Sequence, residues 1–120
     1  MAKAHPREIE LYITTDGKIP FSDWLDLLKD KRSRSEVNRR IERATNGNFG
    51  DHKSVGNDVY EMRITYGGGY RIYYAELEKE NKILLLLWGG VKNTQVEDIK
   101  KAKEYWEDYK ESHQIGEENK

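Results

Sequence analysis

Three cationic side chains stand at intervals along a series of short strand-like segments: Arg63, Arg71 and Lys92. Lys53 lies upstream in a glycine-containing segment, and Glu61 precedes Arg63 by two residues. Arginine offers a planar fork of donors and lysine a compact charge, so converging cations of this kind suit the binding of phosphate. Such a cluster also stabilises the charge that grows on the non-bridging oxygens when a ribose 2′-hydroxyl attacks the adjacent phosphate. That cleavage needs no metal ion.

The motifs of several other chemistries are missing from the sequence. There is no cysteine, which excludes disulfides, cysteine nucleophiles and cysteine-based metal sites. We find no HExxH, EF-hand or P-loop lysine motif and no carboxylate cluster, so we predict neither a cofactor nor a metal. The glycine run at residues 67–69 is interpreted as a hairpin turn rather than a phosphate cradle.

Alternation of apolar and polar residues predicts the strands that carry the cations. Residues 59–66 and 70–75 alternate on either side of the glycine turn. After a polar turn, residues 83–88 form a continuous apolar run that Gly89 and Gly90 end. These three segments therefore predict a small antiparallel meander.

The same alternation predicts which residues share a face of that sheet. Successive strand side chains point to opposite faces, so Arg63 shares a face with Glu61, and Arg71 shares one with Tyr73. The other face is expected to be the core surface, with these residues: Tyr60, Met62, Ile64, Tyr70, Ile72 and Tyr74. We therefore expect one charged face and one core face.

The rest of the chain supplies a further strand and three helices. Residues 7–14 alternate as a strand, a helix begins at Pro20, and a second helix runs from about Ser35 to Asn46. Residues 47–57 are interpreted as an ordered loop, and a final helix follows Thr94. This order predicts an α+β fold: a mainly antiparallel sheet of about four strands, with two N-terminal helices and a C-terminal helix packed on it.

The length of 120 residues predicts one domain over residues 1–120, with a core at about 7–110 and a polar tail at about 111–120. The longest apolar run is too short to span a bilayer, and the N-terminus lacks the apolar core of a signal peptide. We therefore expect a soluble cytoplasmic protein with no membrane partner.

The overall charge identifies no partner, because 21 Lys and Arg residues nearly balance 22 Asp and Glu residues. Residues 29–43 are an exception, with seven basic and three acidic residues. A nucleic acid would have to be met by a local patch of this kind. Arg39, Arg40 and Arg43 are therefore candidate RNA-binding residues, although a charged helical run is also typical of a solvated face.

Each candidate has a structural interpretation as well. Arg63 could pair with Glu61 or Glu76 and carry no function. Tyr70 and Tyr73 are candidates for stacking on RNA bases, but tyrosines of this kind are also typical core residues of a sheet.

Taken together, several segments resemble the toxins of the RelE/ParE superfamily, in particular the HigB-like, phage-derived addiction-module killer proteins. The resemblance covers roughly residues 8–110 and is carried by these segments: Tyr60-Glu61-Met62-Arg63, Gly69-Tyr70-Arg71-Ile72-Tyr73-Tyr74 and Leu85-Leu86-Leu87-Trp88-Gly89-Gly90-Val91-Lys92-Asn93-Thr94-Gln95.

This resemblance implies a RelE-like fold and the toxin of a type II toxin–antitoxin pair. Such toxins typically enter the ribosomal A site, cleave mRNA by 2′-hydroxyl attack and leave a 2′,3′-cyclic phosphate. The implied partners are the ribosome, mRNA and a cognate helix-turn-helix antitoxin, with which the toxin forms a hetero-oligomer.

The resemblance also implies catalytic roles at matching positions. Arg71 would clamp the transition state, Lys92 and Arg63 would contact the phosphate and leaving group, and Lys53 would contact substrate or carry a proton. The general base stays open among these candidates: Glu61, Tyr73 or a lysine of lowered pKa.

Two other functions fit the sequence. One is a non-catalytic toxin that binds DNA gyrase or another partner, like the ParE branch of the superfamily. The other is an inactive RNA-binding prophage remnant, whose cationic residues do no chemistry.

Overall fold

The sheet and helices of the computed structural model are described for residues 6–113. In chain order the elements are β1 (Glu8–Leu11), α1 (Pro20–Leu27), α2 (Lys31–Thr45), β2 (His52–Gly56), β3 (Val59–Ile64), β4 (Tyr70–Glu78), β5 (Lys82–Val91) and α3 (Gln95–His113). Two short 3-10 turns, Tyr66–Gly68 and Lys92–Thr94, follow β3 and β5. The predicted α+β class is confirmed.

The strands form one mixed sheet in the order β1-β5-β4-β3-β2. β1 pairs in parallel with β5, and the other neighbours are antiparallel. The prediction of a mainly antiparallel sheet is therefore confirmed. The predicted count of about four strands is too low, because the described residues contain a fifth strand, β2.

β2 lies within the segment that the sequence predicts as a loop. As an edge strand it is mostly exposed, so it lacks the apolar alternation that marks a half-buried strand. It turns into β3 through Asn57 and Asp58, whose φ angles are 59° and 66°. Positive φ at both central residues is typical of tight hairpin turns. Asn and Asp adopt positive φ more readily than most other residues, so this pair suits the turn.

The two N-terminal helices form as predicted, with one shifted boundary. α1 begins at Pro20, where a missing backbone N–H costs nothing. α2 begins at Lys31 instead of Ser35, because the Asp30 side chain caps it by accepting from the Arg32 backbone N–H at 3.1 Å. The charged start of α2 gives no apolar period that would reveal it.

Helices cover both faces of the sheet. α1 and α2 pack on one face through these residues: Phe21, Trp24, Val37, Ile41, Ala44, Met62, Ile64, Ile72, Tyr74, Leu84 and Leu86. α3 packs on the other through these: Ala102, Trp106 and Tyr109, against Tyr12, Val59, Tyr73, Ala75, Leu77, Ile83, Leu85 and Leu87. The expectation of one wholly charged face is therefore wrong. On this second face Glu61 is fully buried, Arg71 is largely buried and Arg63 is partly exposed.

The glycine pair of β5 does not end that strand, which continues to Val91. A Cβ atom at Gly89 would lie 2.2 Å from the Trp24 ring, and one at Gly90 would lie 1.9 Å from Asp98 Oδ2. The two glycines thus let α1 approach one face of β5 and α3 the other.

α3 extends through Glu111 to His113, so the first three residues of the predicted polar tail are helical. Residues 114–120 of that tail, and residues 1–5, lie outside the described part of the chain. Within residues 6–113, no helix combines the length and apolar character needed to cross a membrane.

Candidate functional site

Strand pairing brings the three predicted cations together. Arg63 on β3 lies directly opposite Arg71 on β4, and Arg71 lies opposite Gly90 on β5, shortly before Lys92. The three side chains line one cleft of about 300 Å³. Its other lining residues come from the same end of the sheet: Asp51, Ile64, Thr65, Gly68, Gly69 and Tyr70.

Arg71 is the most enclosed cation of the cleft, with only 8% of the residue exposed. Its Nε lies 3.6 Å from Glu61 Oε2, which is an ion pair but too long for a hydrogen bond. Among the described residues the Nε has no hydrogen-bond partner. The Nε faces Glu61 and is closed to solvent, so the terminal nitrogens of the guanidinium are the donors that remain for a ligand. Arg71 therefore offers the cleft an enclosed positive charge, which suits an anion.

The Arg63 side chain lines the cleft and also binds Glu61. Its Nε donates to Glu61 Oε1 at 3.1 Å, and 34% of its side chain is exposed. The alternative pairing with Glu76 does not occur, because Glu76 pairs with Arg7 at 2.6 Å. The exposed part of the guanidinium leaves donors for a ligand in the cleft.

Lys92 is exposed and begins the 3-10 turn between β5 and α3. Asp98 in α3 holds that turn, since it accepts from the Thr94 hydroxyl and, at 2.8 Å, from Trp88 Nε1. Thr94 also donates to the Val91 carbonyl at 3.2 Å. These hydrogen bonds hold the backbone of the turn, and the exposed Lys92 side chain lines the cleft with the two arginines.

Glu61 is fully buried and accepts three hydrogen bonds. The donors are Tyr73 OH at 2.9 Å, Gln95 Nε2 at 2.9 Å and the Arg63 Nε. Burial raises the pKa of the Glu61 carboxyl, but the hydrogen bonds and the charge of Arg71 outweigh burial, so its pKa lies below the ordinary value. A buried, ionised carboxylate with occupied oxygens is poorly placed to take a proton from substrate.

Tyr73 is wrongly predicted as an RNA-stacking residue. It is fully buried under α3, and burial together with the Glu61 charge raises the pKa of its hydroxyl far above the ordinary value. It is therefore neither a base-stacking platform nor a proton acceptor. Tyr70, the other tyrosine considered for stacking, is half-buried and lines the cleft.

Lys53 lies at the rim of the site rather than in the cleft. It is exposed on β2, directly opposite Glu61 in the strand register. Residues paired in this way have Cβ atoms about 5 Å apart, so Lys53 is on the same face as the arginines. The pairing keeps it near the cluster without making it a cleft-lining residue.

The three candidate arginines of α2 differ from one another. Arg39 and Arg43 are exposed, and Arg39 is 3.8 Å from Glu36. Arg40 instead donates to three backbone carbonyls, those of Arg63, Phe49 (2.6 Å) and Asp51 (3.2 Å). Its guanidinium is occupied in fixing the wall of the cleft, which does not fit the predicted direct contact with RNA.

We expect Arg40→Ala to lower the free energy of unfolding by about 2 kcal/mol, because three carbonyls lose a charged donor. Arg39→Ala is the matched control, and its weak exposed ion pair predicts a change of at most about 0.5 kcal/mol. Urea denaturation of both variants measures the difference. Equal effects would show that Arg40 has no structural role.

Asp51 is a residue of the cleft that sequence reasoning did not select. It is exposed, and it carries the only carboxylate among the described residues that line the cleft. Its backbone carbonyl accepts from the Arg63 N–H at 2.9 Å, which ties the end of the loop to β3. Asp51 immediately precedes β2, which the sequence pattern does not predict as a strand. Recognition of the Asn57-Asp58 turn could have located β2, and with it the position of Asp51 next to β3.

No group of three or more His, Cys, Asp or Glu side chains within residues 6–113 is arranged to hold a metal ion. The cleft instead offers guanidinium and ammonium donors. This donor set suits an anionic ligand such as a phosphate diester.

Comparison with known proteins identifies a relative of the chain. No model of a known protein family matches the chain. The chain is similar to a protein of Haemophilus influenzae that is described as an uncharacterized protein. The two are 48% identical over 86 residues, which cover 71% of this chain and 84% of the Haemophilus protein. The chain therefore belongs to the same protein family as this uncharacterized Haemophilus protein.

Proposed function

We propose that this chain is the toxin of a type II toxin–antitoxin pair, with a RelE-like fold of the HigB-like branch. Its activity is that of a metal-independent endoribonuclease that cleaves mRNA on the translating ribosome. The observation that carries this proposal is the convergence of Arg63, Arg71 and Lys92 on one cleft, with Arg71 largely buried.

The proposed reaction uses only groups of the RNA and of this cleft. The ribose 2′-oxygen forms a bond to the adjacent phosphorus, and the bond from phosphorus to the 5′-oxygen breaks, which leaves a 2′,3′-cyclic phosphate. Arg71 and Arg63 bind the non-bridging oxygens, where negative charge grows in the transition state. Lys92 donates a proton to the departing 5′-oxygen, as its exposed position beside the arginines allows.

Asp51 is the proposed acceptor of the 2′-hydroxyl proton. Glu61 and Tyr73 are buried and joined by a hydrogen bond, whereas Asp51 is exposed and lines the cleft. A general base must reach the proton that it removes, so accessibility favours Asp51 over the two buried groups. Lys53 and the exposed arginines of α2, Arg39 and Arg43, are left to contact RNA outside the cleft.

The proposed partners follow from this activity. They are mRNA, the ribosome and a helix-turn-helix antitoxin that neutralises the toxin in the cytoplasm. The nearly balanced charge of the chain means that the cationic cleft, rather than the field of the whole protein, must attract RNA.

A brief induction of the chain in bacteria, followed by mapping of mRNA 5′ ends, tests the proposal. We expect growth arrest within minutes and new 5′ ends inside translated reading frames. Asp51→Asn is expected to reduce the new ends. Growth arrest with intact mRNA would contradict the proposed activity.

A second candidate is a non-catalytic, ParE-like toxin that binds DNA gyrase. One observation favours it: both arginines of the cleft face the buried Glu61, as they would in a purely structural cluster. In that case induction would leave mRNA intact and trigger a DNA-damage response. An inactive prophage remnant would produce neither response.

A further inference from the structure

Glu61 lies at the centre of a polar cluster that joins three elements of the fold. Its own strand, β3, carries Arg63, the neighbouring strand β4 carries Arg71 and Tyr73, and the first turn of α3 carries Gln95. Four side-chain donors face its two oxygens, at distances from 2.9 to 3.6 Å. The carboxylate is fully buried, so solvent does not compete for it.

The negative charge of Glu61 offsets the repulsion between two neighbouring arginines of the sheet. Arg63 and Arg71 are direct cross-strand partners, and like charges in such positions repel one another. Glu61 Oε1 binds the Nε of Arg63, while Oε2 faces the Nε of Arg71. One carboxylate therefore holds both guanidinium groups by their inner nitrogens, which leaves the terminal nitrogens for a ligand.

Glu61 is itself held in place by two neutral donors. Tyr73 OH and Gln95 Nε2 both donate to Oε2, each at 2.9 Å. They fix the carboxylate from the adjacent strand and from α3, so its position does not depend on the arginines that it orients. A group that is fixed by other elements and binds both cations can set their geometry before any ligand arrives.

We propose that Glu61 is a positioning residue that holds Arg63 and Arg71 in the orientation that grips the scissile phosphate, with Tyr73 and Gln95 as its supports. The inference rests on the proposed endoribonuclease function and replaces the role of general base for Glu61. It assigns functional importance to two residues that do not touch substrate, one of them in α3.

Two conservative variants test this inference without removing a charge. Tyr73→Phe deletes one hydroxyl donor to Glu61, and Gln95→Ala deletes the other donor. Tyr74→Phe is the matched control, because Tyr74 is also buried on β4 but packs on the opposite face, among the residues under α1 and α2.

The first readout is cleavage of a reporter mRNA on purified translating ribosomes. We expect Tyr73→Phe and Gln95→Ala each to lower kcat by about tenfold with little change in KM, because the orientation of the arginines matters most in the transition state. Tyr74→Phe should keep the wild-type kcat. Equal kcat in wild type and both variants would overturn the inference while leaving the proposed function intact.

The second readout does not need cleavage. Inorganic phosphate is titrated into the isotope-labelled protein while the Nε–H signals of Arg63 and Arg71 are followed by NMR. We expect Tyr73→Phe and Gln95→Ala to weaken phosphate binding by about three- to tenfold, and Tyr74→Phe to leave it unchanged. Unchanged binding in both variants would reduce Glu61 to a stabilising residue and overturn the inference, even if the wild-type protein cleaves no mRNA.

Discussion

Replacing Arg71 by alanine is expected to slow mRNA cleavage by about 100- to 1,000-fold, the effect of removing one preorganised donor from a developing oxyanion. Arg71 is more enclosed than Arg63, with 10% of its side chain exposed against 34%. Its charge therefore acts with less screening by water. The rate of single-turnover cleavage on saturated ribosomes measures the effect.

Arg71→Lys separates charge from geometry in the same experiment. Lysine keeps the positive charge but loses the planar fork, so we expect it to restore only a small part of the lost rate. Stability should change little in either variant, because Glu61 keeps its bonds from Arg63, Tyr73 and Gln95.

Arg7→Ala is the matched control for these variants. Arg7 is likewise a largely buried arginine paired with a glutamate, at 2.6 Å from Glu76. Glu76 is five residues farther along β4 than Arg71, about 17 Å away at the rise of a strand. We expect wild-type cleavage from Arg7→Ala. Wild-type cleavage from a folded Arg71→Ala would refute the assigned role of this arginine.

The elements that carry the cations could be predicted from sequence because each has a clear period. β3 and β4 alternate on either side of a glycine turn, so the register that places Arg63 opposite Arg71 follows from a short hairpin. Lys92 could be placed beside them because the next apolar run must pair with β4. Local pattern and nearest-neighbour pairing therefore suffice for this part of the site.

Burial of the polar residues could not be predicted in the same way. Alternation shows that Glu61 and Tyr73 share a face, but the face is covered by α3, which is far away in sequence. Whether Tyr73 is exposed or buried depends on the position of α3 on the sheet. The sequence pattern accordingly gives no sign that Gln95 is a partner of Glu61.

Contacts between residues that are distant in sequence could not be predicted either. Arg40 looks like its exposed neighbours in a basic helix, and only the folded chain shows its guanidinium against three carbonyls. The glycine pair of β5 looks like a strand terminator, but each glycine admits a side chain from another element. The periodicity of a sequence predicts which residues share a face of a helix or strand. It does not predict which residues of other elements contact that face.

Gly90 shows how closely a side chain of another element can approach the backbone of β5. A Cβ atom there would lie 1.9 Å from Asp98 Oδ2, inside the space of the carboxylate that binds the Trp88 indole and the Thr94 hydroxyl. Asp98 would have to move, and its buried hydrogen bonds would be lost or distorted. The turn that carries Lys92 depends on the same bonds.

We therefore expect Gly90→Ala to lower the free energy of unfolding by about 3 kcal/mol, from overpacking and disrupted buried hydrogen bonds. Because the clash is with one carboxylate, the cost should fall to about 1 kcal/mol in an Asp98→Ala background. A double-mutant cycle of urea unfolding measures this coupling. An equal cost of Gly90→Ala in both backgrounds would mean that Asp98 is not what requires glycine here.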